Sequence, residues 1–355
     1  TAPEYVIFEG PGMDAFAESP EWGGSLVIFP FMYYETYGDD SLIKKYYPNM
    51  RRYVDYLKTR ADTGILSFGL GDWYDYGDFR AGFSRNTPVP LVATAHYYMT
   101  VMYLVQAAKM VGNDFDIRYY TSLAQEIMVA FNKCFLHKDT AQYGTGSQCS
   151  NALPLFLQMT QDADEQDNYR PDADLNEKVF ANLIKDVEAH GNRLTTGDVG
   201  NRYLIQTLAR NGEHELIYKM FNHEEAPGYG FQLKFGATTL TEQWDPRQGS
   251  SWNHFMMGQI DEWFFNSLVG IRPSTTPKQG YQKFIIAPQP VGDLKYVKAS
   301  YETLYGTINV DWTCENGTFT LNVSVPVNTT AVVYLPGEKE PKEIQSGTYQ
   351  LVCAK

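Results

Sequence analysis

The sequence is poor in positive charge. Among its 355 residues, 29 are Lys or Arg and 42 are Asp or Glu, which gives a net charge of −13. The basic residues form no run, so a nucleic-acid backbone is not an expected partner. Long apolar runs are also missing. No stretch reaches the roughly 18 uncharged apolar residues that a membrane-spanning helix needs, so the sequence predicts no membrane span.

Cysteine is scarce as well. The four cysteines are Cys134, Cys149, Cys314 and Cys353, and none of them stands in a Cys-x-x-Cys pair or at a metal-ligand spacing. We therefore expect no metal site and no cofactor. Cys314 and Cys353 both lie in the C-terminal segment and could form a disulfide, but two free buried thiols fit the sequence equally well.

Most of the chain has the periodicity of helices. Ser19-Pro20 supplies an N-cap and a first-turn proline, residues 26–32 are apolar all round, and residues 41–59 are amphipathic. A capping box is expected at Asp174-x-x-Glu177, and a last buried helix over residues 253–269. Alternating buried and half-exposed helices predict an α/α toroid. A closed toroid of six such pairs has twelve helices; we recognise about nine and expect the missing ones to precede Thr1.

The periodicity changes from that of helices to that of strands between Gly270 and Pro277. Beyond it, short β-branched or aromatic runs alternate with turn residues. Every second residue over 319–325 is apolar, and Asn316-Gly317 precedes this run, which predicts a hairpin with one buried face. The predicted organisation is a toroid domain over residues 1–272 and a small antiparallel β-sandwich over residues 278–355.

The stretch from Gly236 to Gly258 is unusually rich in chemically active and aromatic side chains. They surround a Pro-Arg-Gln-Gly-Ser turn and comprise Glu242, Trp244, Asp245, Trp252 and His254. A carboxylate between small hydroxyl residues and a Trp suits a sugar-binding cleft, because an indole face covers C–H surface while polar groups take up hydroxyls. A Trp-rich loop that only packs against its own domain fits the composition equally well.

Two further loops carry acidic residues beside glycine. Residues 68–77 contain Asp72 and Trp73, which suit either a sugar or a helix cap with a rim aromatic. Asp198 follows Thr195-Thr-Gly, where an N-cap is the default interpretation and a position facing the same cleft is the alternative. His96 lies among Ala and Tyr on a helix, and we expect it to be a buried, hydrogen-bonded structural residue.

The motif Gly-Ala-Thr-Thr-Leu-x-Glu-x-Trp-Asp, followed by Ser-x-Asn-His-x-x-x-Gly, resembles the C-terminal catalytic signature of the inverting α-L-rhamnosidases, glycoside hydrolase family 78. Other segments resemble the same family in the same order along the chain. They are Trp22-Gly23, Tyr37-Gly38-Asp39, Gly71-Asp72-Trp73, Val92-Ala93-Thr94-Ala95, the Thr-Gly-x-x-Gly turn and the segment from Gly280 to Pro288. The resemblance thus covers nearly the whole chain.

This resemblance implies the later part of a catalytic (α/α)6 barrel, followed by a β-sandwich. The implied reaction is the inverting hydrolysis of a terminal α-L-rhamnose or a related sugar, so the implied partner is a carbohydrate. Glu242 takes the position of the family's general base. The residues implied to bind the sugar are Trp22, Asp72, Trp73, Trp244 and His254, with Asp198 as a second-rank candidate. A secreted or periplasmic location is favoured over the cytoplasm.

The family's general acid is a Glu in an Asp-Cys-Pro-x-Arg-Asp-Glu-Arg-x-Gly-Trp stretch, which this sequence does not contain. The resemblance therefore implies a longer polypeptide in which that stretch precedes Thr1. Thr241 and Gln243 stand where the family has Trp and Arg, and Gly24 stands where it has Asp, so we expect glycoside hydrolysis and leave the sugar open. A non-catalytic carbohydrate-binding relic and a purely structural helical domain are the alternatives.

Overall fold

The computed structural model describes residues 18–163, 169–249, 251–274 and 277–354. Its helices are α1 (Pro20–Gly23), α2 (Ser25–Tyr37), α3 (Ser41–Arg60), α4 (Val89–Val111), α5 (Asp114–Phe135), α6 (Gln148–Phe156), α7 (Ala173–Ala189), α8 (Gly200–Arg210), α9 (His214–Phe221), α10 (Tyr229–Lys234) and α11 (Ile260–Trp263). Short 3-10 helices span Pro246–Gln248, Phe255–Gln259 and Pro277–Gln282, and a π-helix spans Phe264–Val269. None of the described helices is both long enough and apolar enough to cross a membrane.

The amphipathic and buried helices follow from their sequence periodicity. Helix α3 begins at Ser41 as predicted and buries residues three or four apart, namely Ile43, Tyr47, Met50, Val54 and Leu57. Helix α4 is buried on nearly every side and ends at Gly112, whose φ of 74° is the left-handed conformation of a C-cap glycine. Both helices confirm the prediction of alternating half-exposed and buried helices.

Two helix predictions differ from the structure. Helix α7 is capped by Asp172, whose carboxylate accepts a 3.0 Å hydrogen bond from the Leu175 N–H, so the capping box predicted at Asp174 is wrong. Two aspartates lie close together there, and composition does not tell which one caps. The helix predicted over residues 253–269 is a succession of 3-10, α and π turns. A buried apolar pattern does not distinguish these hydrogen-bonding types.

The chain forms two compact units by its internal contacts. The first comprises Thr1–Phe29, Ile43–Thr207 and Met220–Met257, and the second comprises Pro30–Leu42, Leu208–Lys219 and Gly258–Lys355. In the first unit, α4 packs against α1, α5 and α6. Apolar side chains at this packing centre include Leu91, Ala95, Met128, Phe131, Tyr143 and Leu153. Two small hairpins, Leu136–His137 with Gln142–Tyr143 and Gln161–Ala163 with Tyr169–Pro171, also belong to this unit.

The second unit contains two four-stranded sheets. After strands β1 to β4 of the small hairpins, its strands are β5 (Ile271–Pro273), β6 (Lys283–Ile286), β7 (Tyr296–Thr303), β8 (Gly306–Glu315), β9 (Thr318–Val325), β10 (Thr330–Val333), β11 (Lys342–Ile344) and β12 (Gly347–Ala354). The strand orders are β11-β10-β6-β5 and β12-β9-β8-β7. Phe284 and Ala331 of one sheet share a single core with Trp312 and Phe319 of the other, which makes a sandwich.

The predicted β8–β9 hairpin is confirmed. Asn316 and Gly317 have φ values of 49° and 74°, the two positive values of a tight hairpin turn. One pairing differs from the antiparallel prediction, because β6 and β10 pair in parallel. These two strands lie far apart in sequence, and strand periodicity carries no information on which strands pair or in which direction. Strands β5, β11 and β12 were not predicted.

Cys314 and Cys353 are both free. Each pairs with Phe319, one from β8 and the other from β12, so strand β9 lies between them. Neighbouring strands are about 4.8 Å apart, which separates the two cysteines by roughly 10 Å. A disulfide requires Cα atoms within about 7 Å. Of the two alternatives that the sequence left open, the structure therefore supports free thiols.

Candidate functional site

Two of the three loops selected from the sequence are joined by backbone hydrogen bonds. The first loop (residues 69–77) and the second loop (residues 195–202) meet where the Asp198 N–H donates to the Trp73 carbonyl at 2.7 Å. The Tyr76 N–H donates to the Thr195 carbonyl at 3.1 Å. Because both bonds use the backbone, the approach of the two loops depends on their main-chain paths.

Gly197 permits this close approach. A Cβ atom at this position would lie 2.1 Å from the Trp73 carbonyl oxygen and 2.6 Å from the Asp75 nitrogen. Real Cβ atoms do not come that close to backbone, and the backbone cannot move aside as a flexible side chain can. The glycine of the Thr-Gly-x-x-Gly turn is thus required by the packing of one loop on the other.

Asp72 lies at the start of α8. Its Oδ1 accepts a 2.6 Å hydrogen bond from the N–H of Gly200, the first residue of that helix, and its side chain is 0% exposed. Burial raises the pKa of Asp72 to about 7, although backbone donors from Gly197 and Gly200 act in the opposite direction. The sequence left a helix cap and a sugar contact open. The cap is observed, and the sugar contact stays a prediction.

Asp198 connects the three loops electrostatically. It is 4% exposed, and burial raises its pKa well above the ordinary range, helped by the charges of Asp72 and Glu242. Asp198 therefore has two acidic residues whose charges act on it, Asp72 of the first loop and Glu242 of the signature loop. Backbone hydrogen bonds join the first and second loops directly.

The signature loop (residues 236–254) folds back on itself like a hairpin. The Glu242 N–H donates to the Ser251 carbonyl at 2.9 Å, and the His254 N–H donates to the Leu240 carbonyl at 3.0 Å. The Ser251 N–H in turn donates to Glu242 Oε2 at 3.1 Å. The half-buried Glu242 carboxylate is thus held by the opposite strand of its own loop. Ser250, which the sequence motif also includes, lies outside the described residues.

Asp245 builds the turn of this loop. Its Oδ1 accepts a 3.0 Å hydrogen bond from the Arg247 N–H at the start of the 3-10 helix Pro246–Gln248. The Arg247 guanidinium also binds the two carboxylate oxygens, with both distances at 2.8 Å. Both oxygens of Asp245 therefore have structural partners.

The tryptophans selected from the sequence lie in different environments. Trp244 is 1% exposed and packs against Tyr229, with ring centroids 5.4 Å apart. Trp252 is 43% exposed, and its Nε1–H donates to the Pro246 carbonyl at 3.1 Å. Trp73 is half-buried and contacts Phe83 edge to face at 5.2 Å. A sugar contact stays a prediction for Trp73 and Trp244.

Trp22 lies on α1, close to the first loop. The preceding residue, Glu21, accepts a 3.1 Å hydrogen bond from the Gly71 N–H. The Ser19 hydroxyl accepts another, at 3.2 Å, from the Leu70 N–H. These bonds place the half-buried Trp22 beside the loop that carries Asp72. Its predicted contact with a sugar is not tested by this geometry.

His254 and His96 lie in different environments. His254 is half-buried, and its ring stacks on Phe255 at 6.2 Å. Both nitrogens of the buried His96 have partners: Nδ1 lies 2.8 Å from the Val92 carbonyl, and Nε2 lies 3.1 Å from the Tyr203 hydroxyl. Burial lowers the pKa of His96 to about 4. The structural role predicted for His96 is confirmed, while a sugar contact of His254 stays a prediction.

One residue near Glu242 was not selected from the sequence. Burial and, after it, the charge of Glu242 raise the pKa of Tyr74, and the Tyr74 backbone has a φ of 61°. The only sequence signal was the aromatic run Trp73-Tyr74-Asp75-Tyr76, which marks the loop but not a single ring. Within the described residues, no group of three or more His, Cys, Asp or Glu side chains could hold a metal ion.

Two family models match the chain. The first, described as the bacterial alpha-L-rhamnosidase 6 hairpin glycosidase domain, matches residues 1–268. The second, described as the bacterial alpha-L-rhamnosidase C-terminal domain, matches residues 270–350. Together they confirm the predicted fold class, a toroid of helical hairpins followed by a sheet domain.

Individual relatives agree with these matches. An alpha-L-rhamnosidase of Streptomyces avermitilis is 29% identical over 335 residues, which cover 91% of this chain and 30% of the relative. The solved alpha-L-rhamnosidase of Dictyoglumus thermophilum superposes with a TM-score of 0.82 at 30% identity, over 95% of this chain and 40% of that one. The structure of a Streptomyces avermitilis alpha-L-rhamnosidase complexed with L-rhamnose superposes with a TM-score of 0.81 at 25% identity. The match covers 94% of this chain and 33% of that one. The chain spans about a third of the length of the curated relatives that it matches. For the Streptomyces avermitilis relative the share is 30%.

Proposed function

We propose a function on the premise that this chain belongs to the bacterial α-L-rhamnosidases, since it matches both their six-hairpin glycosidase domain and their C-terminal domain. The proposed reaction is the inverting hydrolysis of a terminal α-L-rhamnose or a closely related sugar. In this proposal the chain supplies the general base and part of the sugar site. The general acid comes from a longer polypeptide, in the stretch that this sequence lacks.

Inversion at a glycosidic carbon needs two carboxyl groups. One protonates the leaving oxygen, and the other, about 6.5–9.5 Å away, takes a proton from the water that attacks the opposite face of the sugar. Glu242 is proposed as this base. The observation that carries the proposal is its fixed carboxylate. Oε2 accepts from the Ser251 N–H at 3.1 Å, while the side chain is only half-buried, so that water can reach it.

The other two carboxyls, Asp72 and Asp198, suit different tasks. Burial raises the pKa of both, which favours their protonated forms over the ionised form that accepts a proton from water. One carboxylate oxygen of Asp72 also accepts a hydrogen bond from the Gly200 N–H. We therefore assign these two residues to holding the loops together, with any sugar contact of Asp198 secondary to that role.

The proposed sugar class rests on the relatives and on the aromatic residues. The Streptomyces avermitilis structure is a complex with L-rhamnose. In this chain Trp22 and Trp73 are half-buried, and Trp73 directly follows Asp72 in the first loop, where an indole face would cover the apolar side of a 6-deoxy sugar. Because Thr241 and Gln243 flank Glu242 in place of the family's Trp and Arg, the proposal includes sugars related to rhamnose.

Binding to the chain itself tests the sugar site. L-rhamnose is expected to raise the melting temperature of the 355-residue chain, because a ligand that binds only the folded state stabilises it. D-glucose serves as the control sugar and should leave the melting temperature unchanged. Trp73→Ala should abolish the rhamnose shift. Equal shifts with both sugars, or none with either, would contradict the proposed site and favour a structural role.

Turnover distinguishes an enzyme from a binding relic. A polypeptide that contains this chain together with the general acid is expected to release β-L-rhamnose first from an aryl α-L-rhamnoside, as the anomeric proton signal in NMR would show. Binding of L-rhamnose without any release would identify a carbohydrate-binding relic. Release of the α-anomer first would contradict inversion.

A further inference from the structure

A cleft of about 650 Å³ lies between helices α3 and α5. Arg51, Asp55 and Thr59 line it from α3, and Phe115 and Tyr119 line it from α5. Residues four apart lie on the same face of a helix, so each helix turns one continuous face to the cleft. A volume of this size holds a drug-sized ligand rather than a single sugar ring.

The cleft is far from the candidate active site. Helix α4 begins beside the first loop, because a Cβ atom at Gly71 would lie 3.0 Å from the Val89 side chain. The 23 residues of α4 then rise by about 1.5 Å each, which makes the helix about 35 Å long. Helix α5, with Phe115 in its first turn, begins directly after the far end of α4. The cleft therefore lies at the opposite end of α4 from the first loop.

An exposed aromatic ring forms part of the cleft wall. Phe115 is 67% exposed, and its ring is parallel to that of Tyr119 within 8°, with the centroids 6.1 Å apart. The Lys58 ammonium lies 4.8 Å from the centre of the Tyr119 ring and donates to its hydroxyl at 2.8 Å. Tyr120 contacts the same ring edge to face at 5.0 Å. Tyr119 is thus held by three neighbours, and Phe115 extends this fixed stack with an apolar face open to solvent.

The rest of the lining is polar and balanced in charge. Arg51 Nε lies 3.1 Å from a carboxylate oxygen of Asp116, and Asp55 accepts a 2.9 Å hydrogen bond from the Tyr120 hydroxyl. With Lys58, the lining carries two cations and two carboxylates. A balanced set of this kind favours neither a phosphate nor a metal ion. It offers hydrogen-bond donors and acceptors side by side, which suits a neutral ligand with many hydroxyls.

We propose that this cleft binds a neutral oligosaccharide at a distance from the candidate active site. Phe115 covers the C–H face of one sugar ring, while Arg51, Asp55 and Thr59 bind hydroxyls along the chain. The choice of a sugar over another flat neutral ligand rests on the proposed function, since a glycosidase acts on carbohydrate. A second site of this kind holds a long substrate on the protein and so raises its effective concentration at the first.

Isothermal titration calorimetry with a tetrasaccharide of α-linked L-rhamnose separates the two sites. In the 355-residue chain carrying Trp73→Ala, which disables the candidate active site, the tetrasaccharide is still expected to bind. Adding Phe115→Ala should weaken this remaining binding about 10-fold or more, the usual effect of losing an aromatic anchor. Phe115→Tyr keeps the ring and should keep the binding. With Trp73 intact, Phe115→Ala should reduce the number of bound tetrasaccharides from two to one.

Tyr296→Ala is the matched control, because Tyr296 is an aromatic residue of similar exposure, 71%, on strand β7. It should leave tetrasaccharide binding unchanged. Because Phe115 is largely exposed, Phe115→Ala and the control should both keep the melting temperature of their parent chain.

The proposal is overturned if the Trp73→Ala chain binds no tetrasaccharide, or if Phe115→Ala binds it as well as Tyr296→Ala does. Either result leaves the proposed function standing, because that function is read from turnover. In a polypeptide that includes the general acid, Phe115→Ala should keep the wild-type kcat and KM for a small aryl α-L-rhamnoside, which does not reach the cleft. A fall in that kcat would also overturn the assignment of Phe115 to a separate site.

Discussion

Asp72 caps a helix that lies 128 residues further along the chain, because its Oδ1 accepts a 2.6 Å hydrogen bond from the Gly200 N–H. The positive end of a helix dipole and the backbone donors favour a charged carboxylate there. Burial acts in the opposite direction and is the larger effect, since the pKa of Asp72 is raised to about 7. The cap therefore carries a proton over much of the pH range in which most carboxyls are ionised.

Asp72→Asn should change how stability depends on pH. The folded chain keeps Asp72 protonated up to about pH 7, whereas the unfolded chain releases that proton near pH 3.8. Between these values the folded state binds more protons, so the wild type loses stability as the pH rises. Asparagine keeps an oxygen for the Gly200 N–H and does not titrate. Relative to the wild type, the variant should therefore gain stability between pH 4 and 8, by a few kcal/mol at about 1.4 kcal/mol per pKa unit.

The measurement is the free energy of unfolding of both proteins in urea at pH 4.5, 6 and 8. His96 acts in the opposite sense, because its folded pKa of about 4 is lowered and stability falls as the pH drops from 6.5. His96 is present in both proteins, so its contribution cancels when the free energy of unfolding of the wild type is subtracted from that of the variant. A difference that stays constant from pH 4.5 to 8 would show that the Asp72 pKa is not raised by folding.

Gly197→Ala should destabilise the first unit. The added methyl group would lie 2.1 Å from the Trp73 carbonyl oxygen, so the first and second loops would have to separate. We expect a loss of about 3 kcal/mol in the free energy of unfolding, the upper part of the range for overpacking. Loss of the L-rhamnose-induced rise in melting temperature should accompany it.

Gly191→Ala is the matched control for this substitution. Its φ of 69° is unfavourable for alanine, but a Cβ there meets no atom within 4 Å. It should cost about 1 kcal/mol through backbone strain alone and leave the rhamnose response intact. Equal losses of stability in the two variants would show that close packing at Gly197 is not what holds the loops together.

The cysteines give a simpler test of the sheet topology. With β9 between Cys314 and Cys353, all four cysteines should react as free thiols after unfolding without reductant. The melting temperature should be the same with and without a reducing agent. A count of two thiols under non-reducing conditions would contradict the strand order of the second sheet.

Local features were predictable from the sequence. The first-turn Pro20 and the Asn316-Gly317 turn act through their own backbone and immediate neighbours, so their sequence pattern is sufficient. Ser19 occupies the predicted N-cap position, but its side chain makes no capping hydrogen bond and its hydroxyl accepts from the Leu70 N–H instead. His96 was predictable for a related reason, since a lone His among Ala and Tyr on a buried helix needs partners within that core.

The parts that the sequence could not predict depend on contacts between distant segments. Asp72 and Asp198 were both read as candidates for capping and for the cleft, and only the fold shows that Asp72 caps α8. No local motif marks Tyr74, whose raised pKa depends on burial and on the charge of Glu242 in another loop. The parallel pairing of β6 with β10 was missed for the same reason.

The central claim is that Glu242 is the general base, and its amide isostere tests that claim most directly. The measurement is kcat and KM for an aryl α-L-rhamnoside, in a polypeptide that contains this chain and the general acid, for the wild type, Glu242→Gln and the exposed control Glu224→Gln. We expect Glu242→Gln to lower kcat by about 10² to 10⁴, the usual contribution of a positioned acid–base group, with KM nearly unchanged and the control fully active. Wild-type kcat in Glu242→Gln would contradict the account.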